Sequence, residues 1–121
     1  MGAGGERPDL FLTASRAHGG PAPRISAAMI VRNEERFLAG CLASIGQEVD
    51  EIVVVDTGSG DRTRDIARDG GAVVIDYPWH DDFAAARNVA LERATGDWIL
   101  YIDADERLVV PEPGALRRAV A

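Results

Sequence analysis

The sequence predicts an α/β fold, a mainly parallel sheet flanked by helices, and three observations carry that prediction. Four short, mostly apolar runs recur along the 121 residues: Ile25 to Val31, Glu51 to Val55, Ala72 to Ile75 and Trp98 to Ile102. The segments between the first and second, second and third, and third and fourth runs place their apolar residues at helical spacing. Each run ends in polar residues: Asn33 and Glu34, then Asp56, then Asp76, then Asp103 and Asp105. Strands that alternate with helices across short links build parallel sheets. In such sheets ligands collect at the carboxyl ends of the strands, so four polar strand ends in succession mark the edge where function is expected.

The elements follow in order. Ile25 to Val31 lies between Pro23 and Arg32-Asn33-Glu34-Glu35 and reads as a strand buried on both faces. Leu38, Cys41, Leu42 and Ile45 recur at i, i+3, i+4 and i+7, the stripe of an amphipathic helix, and Gly46 is placed to end it. Glu51 to Val55 is rich in β-branched residues and stops at Asp56-Thr57-Gly58-Ser59-Gly60-Asp61, a turn where backbone can approach a ligand closely. Thr63, Ile66 and Ala67 give a short helix closed by Gly70-Gly71. After Ala72 to Ile75 comes a polar loop that carries Trp79 and His80; Asp82 then caps a helix expected from Phe83 to about Thr95, with Gly96 as its stop. Trp98 to Ile102 is the fourth strand, Leu108 to Val110 reads as a brief further strand, and Pro111-Glu112-Pro113 as the start of a helix. Residues 1–24, with eight glycines and prolines around the short cluster Leu10-Phe11-Leu12, read as a flexible leader outside any core. The domain is accordingly placed at 25–121.

Composition narrows the partners. A length of 121 residues accommodates one domain with a core. The net charge of -7 argues against a general nucleic-acid or anionic-membrane surface, since both reward clustered basic residues. The single cysteine, Cys41, excludes an intrachain disulfide and fits a reducing compartment; on the apolar stripe of a helix it reads as a buried thiol. No apolar run approaches the roughly 20 residues that span a bilayer, and the N-terminus lacks the order of a secretory signal. The expected location is the cytoplasm, with no transmembrane segment.

The chemistry concentrates at the strand ends. Alternation along an extended chain lets Asp103 and Asp105 face one point while Ala104 faces away. Two carboxylates at one point repel unless a cation lies between them, and a hard divalent ion such as Mg2+ or Mn2+, bridging substrate phosphates, meets that need; a solvated acidic loop is the alternative. Asp56 can accept from a base N–H or from ribose hydroxyls, or serve simply as a turn former beside Gly58. Arg87 and Asn88 sit near the start of the third helix, where an arginine facing the site favours phosphate or a uracil carbonyl; an exposed helix face is the alternative. His80 reads as a surface histidine rather than a metal ligand. The glycine turn matches neither a dinucleotide fingerprint nor a P-loop.

Taken together, Val31-Arg32-Asn33-Glu34-Glu35, Val54-Val55-Asp56-Thr57-Gly58-Ser59-Gly60-Asp61, Ala86-Arg87-Asn88 and Asp103-Ala104-Asp105 resemble, in order and spacing, the nucleotide-sugar-binding half of a family 2 glycosyltransferase with the Rossmann-like GT-A fold. The stretch from Tyr77 to Phe83 further resembles a bacterial branch that includes lipopolysaccharide-core and tetratricopeptide-containing transferases. The resemblance implies that Asp56 reads the base, that Asp103 touches the ribose or the metal, and that Asp105 holds the metal on the diphosphate. It also implies that Arg87 contacts base or phosphate, and that Asn33 and Glu34 shape the nucleotide pocket. Arg32 stands where many members carry a base-stacking aromatic, and a guanidinium plane can stack in its place. Thr57 replaces a common second aspartate.

The expected activity is transfer of a sugar, most simply from a UDP-sugar, with Mn2+ or Mg2+. Family members use a second half, downstream of the metal motif, for the acceptor and the catalytic base; with Ala121 following Asp105 so closely, the domain reads as truncated before that half and the base is unassigned. The alternative is a catalytically silent nucleotide-sugar-binding module, or a remnant that needs a partner. A nucleotidyltransferase lacks the phosphate loop it would need after the first strand. An apolar patch near Leu108 to Val110 is expected, and with it self-association.

Overall fold

The computed structural model describes residues 11–14 and 23–120. The strands are β1 Phe11–Ala14, β2 Ile25–Val31, β3 Glu51–Asp56, β4 Val73–Asp76 and β5 Trp98–Tyr101, and the helices are α1 Leu38–Ile45, α2 Thr63–Asp69, α3 Phe83–Arg93 and α4 Ala115–Val120. The strands make one sheet in the order β1-β5-β2-β3-β4. β2 is central and parallel to both β3 and β5, and β4 adds a further parallel strand beyond β3. The expected mainly parallel sheet is present.

Alternation along the strands divides the core into two layers. Ile25, Ala27, Met29 and Val31 of β2 join Ile52 and Val54 of β3 against Leu38, Cys41, Leu42 and Ile45 of α1, Ala67 of α2 and Val120 of α4. On the opposite face Ala28, Val53, Val55 and Ile99 pack against Ala86, Ala90 and Ala94 along α3. Cys41 is fully buried, as its place on the α1 stripe predicts, and burial pushes its thiol up to about 11. Asp82 caps α3 by accepting from the Ala85 N–H at 3.0 Å. The helix stops at Arg93, two residues short of the expected Thr95, because Ala94 turns extended and the Thr95 N–H donates to Glu51 Oε1 at 2.8 Å instead of continuing the helix.

Carboxylates fasten the amino ends of the strands. Asp50 Oδ2 accepts from the Ile25 N–H at 2.8 Å, and Glu51 Oε1 accepts from the Ser26 hydroxyl at 2.7 Å. Arg117 and Arg93 pair with Asp50 and Glu51 at 3.0 and 3.3 Å. Burial pushes both carboxyls up, but these donors outweigh it and hold both below the usual carboxylate range. Glu48, itself buried, accepts from the Gly114 and Leu116 N–H groups at 2.9 and 3.1 Å, which sets an anion at the start of α4.

Two expectations are corrected. Within the supposed leader, Phe11–Ala14 is an edge strand antiparallel to β5, with Phe11 opposite Tyr101 and Ala14 opposite Trp98, and Leu12 packs on the core. Arg24 is anchored as well, its N–H donating to Asp97 Oδ2 at 2.8 Å; residues 1–10 and 15–22 of the leader lie outside the described residues. Leu108 to Val110 forms no strand: the Leu108 N–H donates to the Ser44 hydroxyl at 3.0 Å and Leu108 packs on the core, leaving Val109 exposed. Among the described residues no helix is long and apolar enough to cross a membrane.

Gly96 is where the chain before β5 passes closest to β2. A Cβ there would meet Ser26 N and Oγ at 2.6 Å and the Trp98 carbonyl at 2.8 Å, whereas one on Gly60 would meet nothing within 4 Å. Gly96→Ala is therefore expected to cost about 2 kcal/mol in urea unfolding and Gly60→Ala less than about 1 kcal/mol in either direction. Equal midpoints for the two variants would refute the close approach.

Candidate functional site

Parallel register brings the strand ends level: Val31 pairs with Asp56, and Asp56 with Asp76. The loops that leave these ends then bind one another through short polar side chains. Asn33 adopts a left-handed φ of 54°, a conformation asparagine tolerates. Its N–H donates to Ser59 Oγ at 2.8 Å, and its Oδ1 accepts from the Gly60 N–H at 2.7 Å. The Glu34 N–H donates to Thr63 Oγ1 at 2.8 Å, and the Arg62 N–H to Glu35 Oε1 at 3.0 Å. Asn33 thus shapes the edge by joining two loops. Arg32 is exposed and lies along Gly58, whose φ of 130° suits a residue without a side chain.

Asp56 is the most enclosed acid of this edge, 1% exposed. Its Oδ1 accepts from the Gly58 and Ser59 N–H groups at 2.9 and 2.8 Å and lies 3.3 Å from the Arg64 guanidinium. Arg64 also donates to Asp76 Oδ1 at 2.7 Å and to the Ser59 carbonyl at 2.8 Å, so a single arginine ties two strand ends and the glycine turn together. Burial pushes the Asp56 carboxyl up, but the Ser59 hydroxyl and N–H, the Gly58 N–H and Arg64 outweigh it and hold the group below its usual range. The second oxygen, Oδ2, is buried with no hydrogen-bond partner. An ionised oxygen in that position is an open acceptor, and leaving it unmet is costly.

The loop after β4 docks on the same turn: the Tyr77 N–H donates to the Asp56 carbonyl at 2.8 Å and the Trp79 N–H to the Thr57 carbonyl at 3.0 Å. His80 stays in this exposed loop. Its Nδ1 donates at 3.1 Å to the Pro78 carbonyl, which can only accept, and its Nε2 lies 3.0 Å from the Tyr77 hydroxyl.

On the β5 side, Tyr101 and Asp103 follow the alternation of the strand. Arg87 of α3 lays its guanidinium over the Tyr101 ring, 4.4 Å from the centroid. Arg87, Tyr101 and Asp103 line a cavity of about 210 Å³ with Met29, Ile30 and Phe83. Asp103 and Asp105 are exposed. The charge they create is felt by Glu34, whose carboxyl is raised by burial and then by Asp105, Asp103 and Asp61. Glu34, Asp61, Asp103 and Asp105 thus lie close enough to one another for their charges to interact. Among the described residues no three His, Cys, Asp or Glu side chains gather closely enough to hold a metal by themselves.

The candidate residues thus share one edge: Asn33, Glu34 and Asp56 at one end, Arg87, Asp103 and Asp105 at the other. Sequence reasoning missed Ser59, Thr63, Arg64 and Tyr101. The signal for Tyr101 was its i, i+2 relation to Asp103. For Arg64 there was none, because its two carboxylate partners belong to different strands.

A family model described as glycosyl transferase family 2 matches residues 26–121. A TPR repeat-containing protein of Synechococcus elongatus is 52% identical over 101 residues, 84% of this chain and 24% of that protein. The SPbeta prophage-derived glycosyltransferase SunS of Bacillus subtilis is 44% identical over 85 residues, 69% of this chain and 20% of that protein. Among solved structures, glucosyl-3-phosphoglycerate synthase from Mycobacterium tuberculosis in complex with Mn2+, UDP and glucosyl-3-phosphoglycerate superposes with a TM-score of 0.60 at 29% identity, over 68% of this chain and 33% of that one. The chain spans a third or less of the length of each of these relatives.

Because the Asp56 carboxyl is held below its unfolded value near 4, its contribution to stability is complete above about pH 4 and is lost as pH falls through the lower folded value. Asp56→Asn is expected to cost about 1 to 3 kcal/mol at pH 7 and progressively less below pH 4. Urea melts of the two proteins at pH 7 and pH 3 check this; a pH-independent gap would contradict it.

Proposed function

The chain belongs to glycosyl transferase family 2, and from that premise we propose that it binds a nucleotide-diphosphate sugar, specifically a UDP-sugar, at the edge formed by Asp56, Arg87, Asp103 and Asp105, for transfer of the sugar to an acceptor. The observation that carries this reading is the unpartnered, buried Oδ2 of Asp56. A uracil imide N–H is a donor of the required kind, and accepting it relieves the desolvation that the carboxylate otherwise suffers. Arg32, alongside the Gly58 turn, offers a planar cation for stacking on the base. Arg87, oriented by Tyr101, meets a base carbonyl or a phosphate.

The donor set of Asp103 and Asp105 fits a divalent metal. Both are hard oxygen ligands, both are exposed, and they lie near Glu34, whose carboxyl is raised by burial first and then by them. A metal held there supplies Lewis-acid stabilisation of the departing diphosphate. Structures of the mycobacterial synthase contain UDP with Mn2+ or with Mg2+, which supports the same choice here. Glu34, beside the two aspartates, sets the charge of the pocket rather than binding the base. This reading assigns the donor half of the reaction; deprotonation of an acceptor hydroxyl calls for a base within hydrogen-bond reach of it. The reaction is placed in the cytoplasm, in keeping with the single buried thiol.

Isothermal titration with UDP, with and without Mn2+, tests the proposal. Binding is expected to depend on the metal, to lose that dependence in Asp105→Ala, and to weaken by about tenfold or more in Asp56→Asn. UDP binding that is absent, or that ignores both the metal and Asp105, would overturn it.

A further inference from the structure

The turn that carries Asp105 is tied to α1. The Cys41 thiol donates to the Asp103 carbonyl at 3.5 Å, and the Leu108 N–H donates to the Ser44 hydroxyl, which itself donates to the Cys41 carbonyl at 2.7 Å. Within the turn the Glu106 N–H donates to the Asp103 carbonyl at 2.9 Å, and Glu106 Oε1 accepts from the Asp103 N–H at 2.7 Å. Arg107 completes the set: its Nη1 donates to the carbonyls of Ala104 and Glu106, at 3.3 and 2.8 Å. Those two carbonyls belong to the residues on either side of Asp105.

The guanidinium reaches them by lying flat against Gly40. A Cβ at residue 40 would stand 2.7 Å from both Cζ and Nε of Arg107, so any residue other than glycine displaces it. Glycine within a helix costs about 1 kcal/mol relative to alanine, and no positive φ calls for it here. Its function is therefore to leave the slot that Arg107 occupies.

We infer that Arg107, seated in the Gly40 slot of α1, is a positioning residue that clamps the backbone on both sides of Asp105 and thereby sets the carboxylate for the metal-bound diphosphate. Arg107 touches neither nucleotide nor metal in this account; it acts through Asp105. A terminal nitrogen that donates to two carbonyls at once, Nη1 here, resists rotation of the intervening residue more than a single contact does. Because α1 also starts from the Glu34 carbonyl, which accepts from the Leu38 N–H at 2.9 Å, the same helix fixes Glu34 and Asp105 relative to each other.

The role of Asp105 as a metal ligand belongs to the proposed function, so the test separates the two. Gly40→Ala displaces only the far end of a flexible side chain and improves helix propensity, so its melting temperature should equal or exceed that of the wild type. Despite that, Gly40→Ala and Arg107→Ala should each speed hydrogen exchange of the Glu106 amide and weaken Mn2+-dependent UDP binding by about tenfold. The double variant should lose no more than either single one. Unchanged exchange at Glu106 in both variants overturns the clamp. If exchange rises while wild type and variants bind Mn2+ and UDP equally well, the positioning role is overturned and the donor-site reading stands. A wild type that binds no UDP overturns the donor-site reading, and the positioning role falls with it.

Discussion

A buried, ionised carboxylate has to be met by donors, and the functional edge of this protein is organised around meeting that need at Asp56. The turn after β3 folds back so that the Gly58 and Ser59 N–H groups reach one oxygen. Arg64 approaches from α2 and, in doing so, fixes Asp76 at the end of the neighbouring strand. The backbone carbonyl of the same residue receives the loop after β4. The ends of β3 and β4 and the loop beyond β4 thus converge on one residue, whose second carboxylate oxygen is buried with no hydrogen-bond partner.

The sheet treats its acids in opposite ways at its two ends. At the amino ends Asp50 and Glu51 are supplied with backbone N–H groups, hydroxyls and arginines until both are held below their usual range. Those groups fasten β2, β3 and the approach to β5 to one another. At the carboxyl ends Asp103 and Asp105 stand exposed near Glu34, whose carboxyl is raised by burial first and then by these two charges. Acids gathered in this way raise one another's cost of ionisation. Arg87 lies over the Tyr101 ring and lines the same cavity as Asp103.

Much of this was legible from residue order. The alternation of strands and helices, the stripe Leu38, Cys41, Leu42 and Ile45, the cap at Asp82 and the polar strand ends each follow from spacing and side-chain chemistry, and each is present in the structure. Phe11–Ala14 was misread because four residues among glycines and prolines carry little strand propensity; they pair because β5 offers an open edge. Leu108 to Val110 has the composition of a strand, but its backbone is diverted to Ser44.

By itself the sequence determined the periodicities, the turns and the charges, because these depend on residues within a few positions of each other. The tertiary structure alone decided which polar groups meet: Glu48 with the start of α4, Arg64 with Asp76 and Asp56, Arg107 with the slot at Gly40. Most of these contacts join residues far apart in the chain, and even the nearest, Arg64 with Asp56 and Asp76, links a helix to the ends of two strands. Their partners become neighbours only when parallel register brings the strand ends level and α1 folds across them. The polar strand ends that stand apart in the chain come to share one edge through that register.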